Sequence, residues 1–499
     1  MQTALAVALL ISNVLVAYSQ FDPHWWPGRS GIVQLFEWKW NDIADECERF
    51  LAPMGFGGVQ ISPATENALI FTPFRPWWER YQPVSYYLNT RSGNEAEFAL
   101  MVRRCNAVGV RIYADVVLNH MAVNTLYGGG AGSLADANTL AYPAVPYNSS
   151  DFNTDCQINE QSNPIELRDC RVYGLPDLNQ RSEWVRDRIV NLLNKFIVYG
   201  VAGFHVDAVK HMWSGDLQVI YSRLANLAQD HGFSANTRPF IIQDVVDISD
   251  DGVSKFEYTS LGTITEYRFS ETIGSIFGGQ QRLASLINWG QPWGFPSSER
   301  TLVFVDNQVN QRNHGAGNRH VLTYKDGKHY VMAVAFMLAH PYGIPRIMSS
   351  YAFNNDDHGP PADANGNIIS PTITSDGMCS NNWICEHRLN PIANMIGFRN
   401  AIAGTGITHW VDNGANQMAF CRGNRGFIMF NLEGTDFDQT MQTCLPAGIY
   451  CDVITGKVGE GGICTGYSIE VDENGLARIY VSAFGAYNVL AIHVNSRIQ

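Results

Sequence analysis

The 499-residue chain is 45% hydrophobic and 16% charged, which provides apolar side chains for a large core and excludes a disordered protein. A formal net charge of -13 argues against nucleic acid and anionic membrane as partners, because both are bound by clustered lysine and arginine. A neutral polymer remains an acceptable ligand.

An uncharged apolar stretch runs from Ala4 to Ala17, and Ala17-Tyr18-Ser19 then offers the small-x-small pattern that signal peptidase cleaves. The alternative, a membrane anchor, needs about 20 apolar residues and a stop-transfer flank. We therefore expect residues 1–19 to be a signal peptide, the mature chain to start at Gln20 and the protein to be secreted. The best later segment, Val331 to Ala339, has the length of a short buried helix and is too short to span a membrane.

Eight short apolar runs that end in polar residues predict buried strands. They are Gly31 to Trp38, Gly57 to Ser62, Val110 to Asn119, Val201 to Asp207, Phe240 to Asp244, Thr263 to Tyr267, Leu302 to Asn307 and Ile344 to Met348. Amphipathic stretches with helical spacing, such as Glu183 to Tyr199 and Leu217 to Ala228, lie between most of them. This alternation predicts an α/β fold, a closed (β/α)8 TIM barrel whose strand C-terminal ends carry the chemistry.

Two segments depart from the alternation. Residues 121–178 are rich in Gly, Ala, Asn and Pro, so we expect a loop-built lobe inserted after strand 3, between barrel segments 20–120 and 179–403. Residues 404–499 contain short strand-like runs separated by Gly and Asn turns, which predict a C-terminal antiparallel β domain. These runs are Gln417 to Phe420, Gly426 to Asn431, Ala477 to Val481 and Asn488 to His493.

Ten cysteines in a secreted chain predict five disulfides. The close spacings Cys156/Cys170, Cys379/Cys385 and Cys451/Cys464 are typical of local loop staples, and none is the spacing of zinc ligands. Cys47 with Cys105 and Cys421 with Cys444 would complete the set, although sequence alone does not fix the connectivity.

Five motifs follow one another along the chain: Leu35 to Trp38, Arg75 to Pro83, Asp115 to His120, Lys210 to Trp213 and Phe304 to Asn307. By these motifs the chain resembles the animal secreted alpha-amylases of glycoside hydrolase family 13, over essentially the whole mature chain. The resemblance implies a calcium-binding lobe after strand 3 and cleavage of internal α-1,4 links of starch or glycogen with retention. The implied partner is an α-glucan, and a monomer is the default expectation.

The resemblance implies three catalytic carboxylates, and this chain keeps one of them unchanged. Asp207 matches the nucleophile. Asp244 stands where the family has its acid/base Glu, and a carboxyl withdrawn by roughly 1 Å costs on the order of 10²-fold in rate. Val309 stands at the position of the third carboxylate, and losing such an electrostatic group costs about 3 to 4 kcal/mol. Asp306 is not expected to replace it, since three residues along a strand points the other way.

A chloride site is implied with one substitution. His205 occupies the place of an Arg that binds chloride in the family, and Asn307 and Arg346 match the other two ligands. Because a His is only partly protonated near pH 7, we expect chloride to bind weakly and in a pH-dependent way, if at all. Gln34 and Gln308 stand where the family has His.

The implied calcium site is intact. Asn119, Asp177 and the carbonyls of Arg168 and His211 match the family ligands, and hard oxygen donors suit Ca²⁺. The alternative is that Asn119 and Asp177 only cap turns.

The implied sugar-binding positions persist in part. An isolated Trp pair is more often core packing, but within the motif Arg75 to Pro83 we interpret the tryptophans as sugar contacts. The loop Asn313 to Gly317, with His314, resembles the flexible lid of the family. Gln161 stands where these amylases often carry Tyr, which removes one stacking contact. The matching residues are Trp77, Trp78, Tyr81, Gln82, His120, Lys210, His211 and His314.

Two hypotheses from different classes follow, a secreted hydrolase with reduced turnover and a pseudoenzyme that binds glucan or protein. Penalties of roughly 10² at Asp244 and 10² to 10³ at Val309 predict at least about a 10⁴-fold loss if they are independent. The two residues share one site, so the penalties need not add. We expect severely reduced or absent hydrolysis, in preference to an ordinary digestive enzyme.

Overall fold

The computed structural model describes residues 20–248, 251–312 and 320–498. The expected signal peptide, and the lid loop Asn313 to Gly317 with His314, lie outside these residues.

Eight parallel strands close into a barrel in which each strand pairs with the next and the eighth pairs with the first. They are β1 (Ser30–Leu35), β2 (Phe56–Ile61), β3 (Arg111–Val116), β4 (Gly203–Val206), β5 (Phe240–Gln243), β6 (Thr263–Thr265), β7 (Thr301–Val303) and β8 (Ile344–Ser349). The predicted TIM barrel is therefore confirmed. Six strands, β2 to β7, end before the polar residues that close their apolar runs, so those residues stand at the barrel mouth.

Helices cover the outside of the barrel, and the strands are accordingly buried on both faces. The prediction at Glu183 is confirmed within one residue, and the segment predicted at Val331 is a helix that is buried from Tyr330 to its end. No helix among the described residues is long and apolar enough to cross a membrane. The helices are Trp40–Glu46, Ala52–Met54, Glu95–Ala107, Pro164–Asp169, Glu183–Val198, Ser214–Ser222, Tyr267–Phe277, Lys328–Ala339 and Asn390–Ala401.

The helix predicted over Leu217 to Ala228 is wrong at both ends, since it begins at Ser214 and ends at Ser222. Arg238, distant in sequence, donates to the carbonyl oxygen of Tyr221 at 2.6 Å and also to that of Leu224. This guanidinium satisfies carbonyls that the next helical turn would otherwise use, so the helix stops there. Periodicity could not reveal a cap that comes from another part of the chain.

The C-terminal β domain is confirmed as an antiparallel structure. Its main sheet has the order β16 (Val489–His493), β11 (Gly426–Asn431), β10 (Gln417–Arg422) and β9 (Ile407–Asp412). Two further pairs join β12 (Phe437–Gln442) to β15 (Leu476–Val481) and β13 (Gly448–Cys451) to β14 (Ser468–Val471). Four of these strands, β9, β12, β13 and β14, were not predicted, because β9, β12 and β14 carry exposed polar residues and β13 has only four residues.

Five disulfides join the cysteines in the expected pairs: Cys47–Cys105, Cys156–Cys170, Cys379–Cys385, Cys421–Cys444 and Cys451–Cys464. All ten cysteines are therefore paired, and such complete pairing fits an extracellular protein.

Glu386 is a buried carboxyl group near the barrel, and burial raises its pKa from 4.5 to about 7. Its Oε2 accepts a hydrogen bond from the Ser350 backbone at 2.6 Å, while Oε1 has no hydrogen-bond partner in the structure. The folded protein holds a proton that the unfolded chain releases near pH 4.5, so this group lowers stability as pH rises from about 4.5 to about 7.

We expect Glu386→Gln to flatten this part of the stability profile, because an amide does not titrate. The variant should be more stable than the parent protein at pH 8 by up to about 3 kcal/mol, and this gain should vanish near pH 4. Urea unfolding at several pH values measures the difference. A gain that is the same at every pH would contradict the assignment.

Candidate active site

A cleft of about 950 Å³ opens at the C-terminal ends of the barrel strands, where this type of fold places its chemistry. Asp207 follows β4, Asp244 follows β5, Tyr267 follows β6 and Val309 lies beyond β7. The inserted lobe supplies the opposite wall. The cleft brings together ten predicted site residues: Trp77, Trp78, Tyr81, Gln82, His120, Asp207, Lys210, His211, Asp244 and Val309.

Asp207 lies in a crowded acidic environment. Its backbone NH continues the strand pairing by donating to the Val116 carbonyl at 2.9 Å. Burial raises the pKa of its carboxyl group well above the usual range, and the negative charges of Asp115 and Asp244 raise it further. A nucleophilic carboxylate must be ionised, so the two neighbouring acids oppose the form that the family chemistry requires.

Asp244 is held against the barrel wall by two hydroxyl groups. Its Oδ1 accepts from Tyr267 at 2.9 Å and from Thr265 at 3.0 Å. Tyr267 in turn accepts from Asn307 Nδ2 at 3.1 Å, which fixes the direction of its hydroxyl group. These hydrogen bonds hold the short side chain of Asp244 through Oδ1, so Oδ2 is the oxygen that faces a ligand.

Val309 presents its side chain to the cleft and packs partly against the main core. It has no group that could accept a hydrogen bond or offset positive charge. Asp306 does not replace it, since this residue is 1% exposed and lies beside Glu386, outside the cleft lining. The expected reason was wrong, however: β7 ends at Val303, so a turn of the loop, and not strand alternation, separates the two residues.

Four buried side chains and the partly buried Tyr81 form one hydrogen-bond chain beneath the cleft, which we call the floor network. Gln34 Nε2 donates to Gln308 Oε1 at 2.7 Å, and Gln308 Nε2 donates to the Tyr81 hydroxyl at 3.0 Å. Tyr81 donates to Asp115 Oδ2 at 2.7 Å, and the other oxygen of Asp115 lies 2.9 Å from His205 Nδ1. Three members, Gln34, Gln308 and His205, are positions where the chain departs from the alpha-amylase pattern. The sequence showed each of these three substitutions separately, but it did not predict that hydrogen bonds connect them.

The floor network predicts coupled stability effects. Gln34→Leu leaves Gln308 Oε1 as a buried acceptor without its donor, and we expect a loss of about 1 to 3 kcal/mol. In Gln34→Leu combined with Gln308→Leu the orphaned acceptor is gone, so the combined loss should be smaller than the sum of the two single losses. Urea unfolding measures all three variants, with the exposed Gln439→Leu as a control. Strictly additive losses would rule out the coupling.

The predicted chloride ligands already have protein partners. His205 pairs with Asp115, Arg346 donates from Nη1 to Gln60 Oε1 at 2.6 Å, and Asn307 holds Tyr267. The negative charge of Asp115 would oppose an anion beside His205. The Asp115 partner fits a chloride ion poorly, whereas Arg346 Nε is a buried donor without a hydrogen-bond partner among the described residues, so chloride stays a prediction.

The predicted calcium ligands, in contrast, fit a cation. The side-chain oxygens Asn119 Oδ1 and Asp177 Oδ1 are both buried and have no hydrogen-bond partner in the structure. They come from adjacent backbone, because the Leu178 NH donates to the Asn119 carbonyl at 2.9 Å. Burial raises the pKa of Asp177 well above its usual range, and the negative charge of Asp169 raises it further.

The other two calcium positions lie where the lobe meets the barrel. Arg168 is in the lobe helix Pro164–Asp169, and His211 ends the short turn Val209–His211 that follows β4. His211 Nδ1 lies 2.7 Å from the Leu167 carbonyl, which joins these two elements directly. Two orphaned oxygens beside this junction suit Ca²⁺ better than the alternative of simple turn caps.

The predicted sugar contacts are held by hydrogen bonds from their polar ends. Trp78 Nε1 donates to Asp357 Oδ1 at 2.9 Å, and Gln82 Oε1 accepts from the Val123 NH at 3.1 Å. Lys210 donates to the Val246 carbonyl at 3.0 Å. The aromatic rings and long side chains at the cleft are therefore fixed in place before a ligand arrives.

Two histidines of the cleft are neutral near pH 7, because burial lowers the pKa of His120 and of His211 to about 4. His120 Nε2 lies 2.9 Å from the Tyr81 carbonyl and so donates to it. The cleft and floor residues that were not predicted as site residues include Asp115, which begins a motif, Tyr267, which ends a predicted strand, and Asp357, which gave no signal.

Comparisons with known proteins agree on one family. The family profile "Alpha amylase, catalytic domain" matches residues 49–241, and "Alpha amylase, C-terminal all-beta domain" matches residues 408–495. The chain is 52% identical to the alpha-amylase-related protein of Drosophila dossoui, over 99% of both chains. It is also 52% identical to the alpha-amylase of Tribolium castaneum, over 98% of this chain and 99% of that one.

A solved structure extends the agreement. A variant of alpha-amylase I from Eisenia fetida, in complex with maltohexaose, is 42% identical with a TM-score of 0.90, over 94% of this chain and 98% of that chain.

Proposed function

Because the chain belongs to the alpha-amylase family of glycoside hydrolases, we propose that its cleft binds α-1,4-glucans and that hydrolysis there is severely reduced or absent. The observation that carries this proposal is the apolar side chain of Val309 in a cleft whose sugar-contact positions are otherwise largely filled. The protein is then mainly a glucan-binding member of its family.

Three observations support glucan binding. The cleft volume suits an oligosaccharide, two tryptophans and Tyr81 line it, and the Eisenia fetida relative was solved with maltohexaose. Aromatic faces pack on sugar rings, and the fixed tryptophans of this cleft lose little freedom on binding.

Impaired hydrolysis follows from the chemistry of retention. In that mechanism Asp207 attacks the anomeric carbon while an acid gives its proton to the departing glycosidic oxygen, and a water then releases the sugar from Asp207. Asp244 is one methylene short of the acid and is tied back by Tyr267 and Thr265. Val309 leaves the positive charge of the oxocarbenium-like transition state without its third carboxylate.

Calcium has a structural part in this proposal. Asn119, Asp177 and the carbonyls of Arg168 and His211 would hold Ca²⁺, which when bound supplies the positive charge that Asp177 lacks. The ion would tie the lobe to the barrel and does not take part in bond cleavage.

The organisation of the protein is proposed on the same basis. The signal peptide is residues 1–19, the barrel 20–120 and 179–403, the lobe 121–178 and the C-terminal domain 404–499. Five disulfides support secretion, and a soluble α-glucan is the expected partner of a monomer.

The test combines two measurements on the purified protein with calcium present. Release of reducing ends from soluble starch, from pH 4 to pH 9 and with or without chloride, reports hydrolysis, and calorimetry with maltoheptaose reports binding. Binding with little or no release supports the proposal. Release at the rate of an ordinary amylase overturns the impairment, and the absence of both signals overturns glucan binding.

A further inference from the structure

Tyr173 is a large aromatic residue that the fold leaves almost entirely in solvent. It lies in the inserted lobe, on the short turn Val172–Gly174, and its side chain is 82% exposed. The residue nevertheless lines the cleft, on the lobe side. Its ring therefore adds nothing to the core but stands at the edge of the space that a ligand would occupy.

The backbone of Tyr173 is strained. Its φ of 51° and ψ of 26° place it in the left-handed region, which Gly or Asn adopts readily and a bulky side chain adopts only at a cost. Strain of this kind persists where the surrounding structure holds it, and it concentrates at functional sites. Neither burial nor backbone conformation explains why a tyrosine occupies this position.

The same wall of the cleft lacks an aromatic residue elsewhere. Gln161 stands where the alpha-amylases often carry Tyr, and both Gln161 and Tyr173 line the cleft from the lobe. A glutamine side chain offers no flat apolar face to a sugar ring. Tyr173 offers one, and it faces a cleft whose barrel side carries Trp77 and Trp78.

We propose that Tyr173 is a sugar-stacking residue at the rim of the cleft, which supplies the aromatic face that Gln161 does not. Its ligand is one glucose unit of an α-glucan chain bound across the cleft. The inference rests on the proposed function, since it assumes that the cleft binds such a chain.

The experiment uses two variants that remove the same ring but differ in backbone strain. Tyr173→Ala keeps the left-handed residue strained, whereas Tyr173→Gly relieves it. Both should weaken maltoheptaose binding by about 5- to 20-fold, by analogy with the loss of a ring stacked on a nucleic-acid base. Only Tyr173→Gly should gain stability, with a rise in Tm of about 1 to 2 °C. If the ring served only to stabilise the fold, both variants would have a lower Tm than the parent protein.

Two further variants sharpen the test. Tyr173→Trp keeps a stacking face and should retain at least the parent affinity. Tyr467→Ala removes a similarly exposed tyrosine from the C-terminal domain and should leave affinity unchanged.

The outcomes separate this inference from the proposed function. If the parent protein does not bind maltoheptaose, glucan binding itself fails, and the inference falls with it. If the parent binds while Tyr173→Ala and Tyr173→Gly retain its affinity, only the role of Tyr173 is overturned. A loss of Tm in both variants also overturns that role, because the ring would then serve the fold.

Discussion

Asp244→Glu combined with Val309→Asp is expected to raise starch hydrolysis by about 10⁴-fold over the parent protein. The added methylene lets the carboxyl group reach past the wall formed by Tyr267 and Thr265, toward the glycosidic oxygen. The new Asp at position 309 returns a negative charge to the cleft beside the oxocarbenium-like transition state. Release of reducing ends from soluble starch measures the gain, with calcium present.

The single substitutions test how the two defects combine. Each is expected to recover a part of the rate, roughly 10²-fold for the acid position and somewhat more for the charged position. Adding Asp207→Asn to the pair should remove the gain, because no other residue then serves as nucleophile. If Asp244→Glu combined with Val309→Asp does not raise the rate of hydrolysis while Asp207 and its surroundings are unchanged, the floor network beneath the cleft must also contribute to the loss of activity.

Calcium is expected to have the largest effect on stability. An ion present at 1,000 times its dissociation constant adds about 4 kcal/mol, which for a chain of this size raises Tm by roughly 4 °C. Asp177→Ala should abolish this rise, because it removes an orphaned oxygen of the proposed site. The measurement is a thermal unfolding series in calcium and in chelator.

A matched control lies in the same lobe. Glu160 is an exposed acidic residue of the segment 121–178, and Glu160→Ala should leave the calcium response intact. Limited proteolysis gives an independent readout, since chelator should expose the lobe to cleavage before the barrel. A calcium response that survives in Asp177→Ala would place the ion elsewhere.

The barrel fold and the catalytic positions of the cleft could both be predicted from the sequence, because of how a parallel barrel is built. In a parallel barrel the residues that follow each strand come to the same rim, so Asp207, Asp244 and Val309 could be placed together from the sequence. The tryptophans were assigned to the cleft differently, from the resemblance of the motif Arg75 to Pro83 to the alpha-amylases. The local sequence pattern therefore predicts the strands and helices, and it predicts which strand ends meet at the rim of the barrel.

The sequence did not reveal contacts that depend on side-chain direction across distant segments. Arg238 ends a helix that lies earlier in the chain, and the periodicity of that helix carries no sign of it. Asp244 was recognised as short, but its two hydroxyl partners lie on and after β6. The strained backbone of Tyr173 is likewise invisible, because nothing in its neighbours except Gly174 suggests a left-handed turn.

The floor network has a consequence for the history of this protein. Gln34, Gln308 and His205 are connected through Tyr81 and Asp115, so replacing any one of them with a side chain that cannot make its hydrogen bond leaves a buried polar group without its partner. An ancestor could not have exchanged these positions in arbitrary order without passing through less stable intermediates.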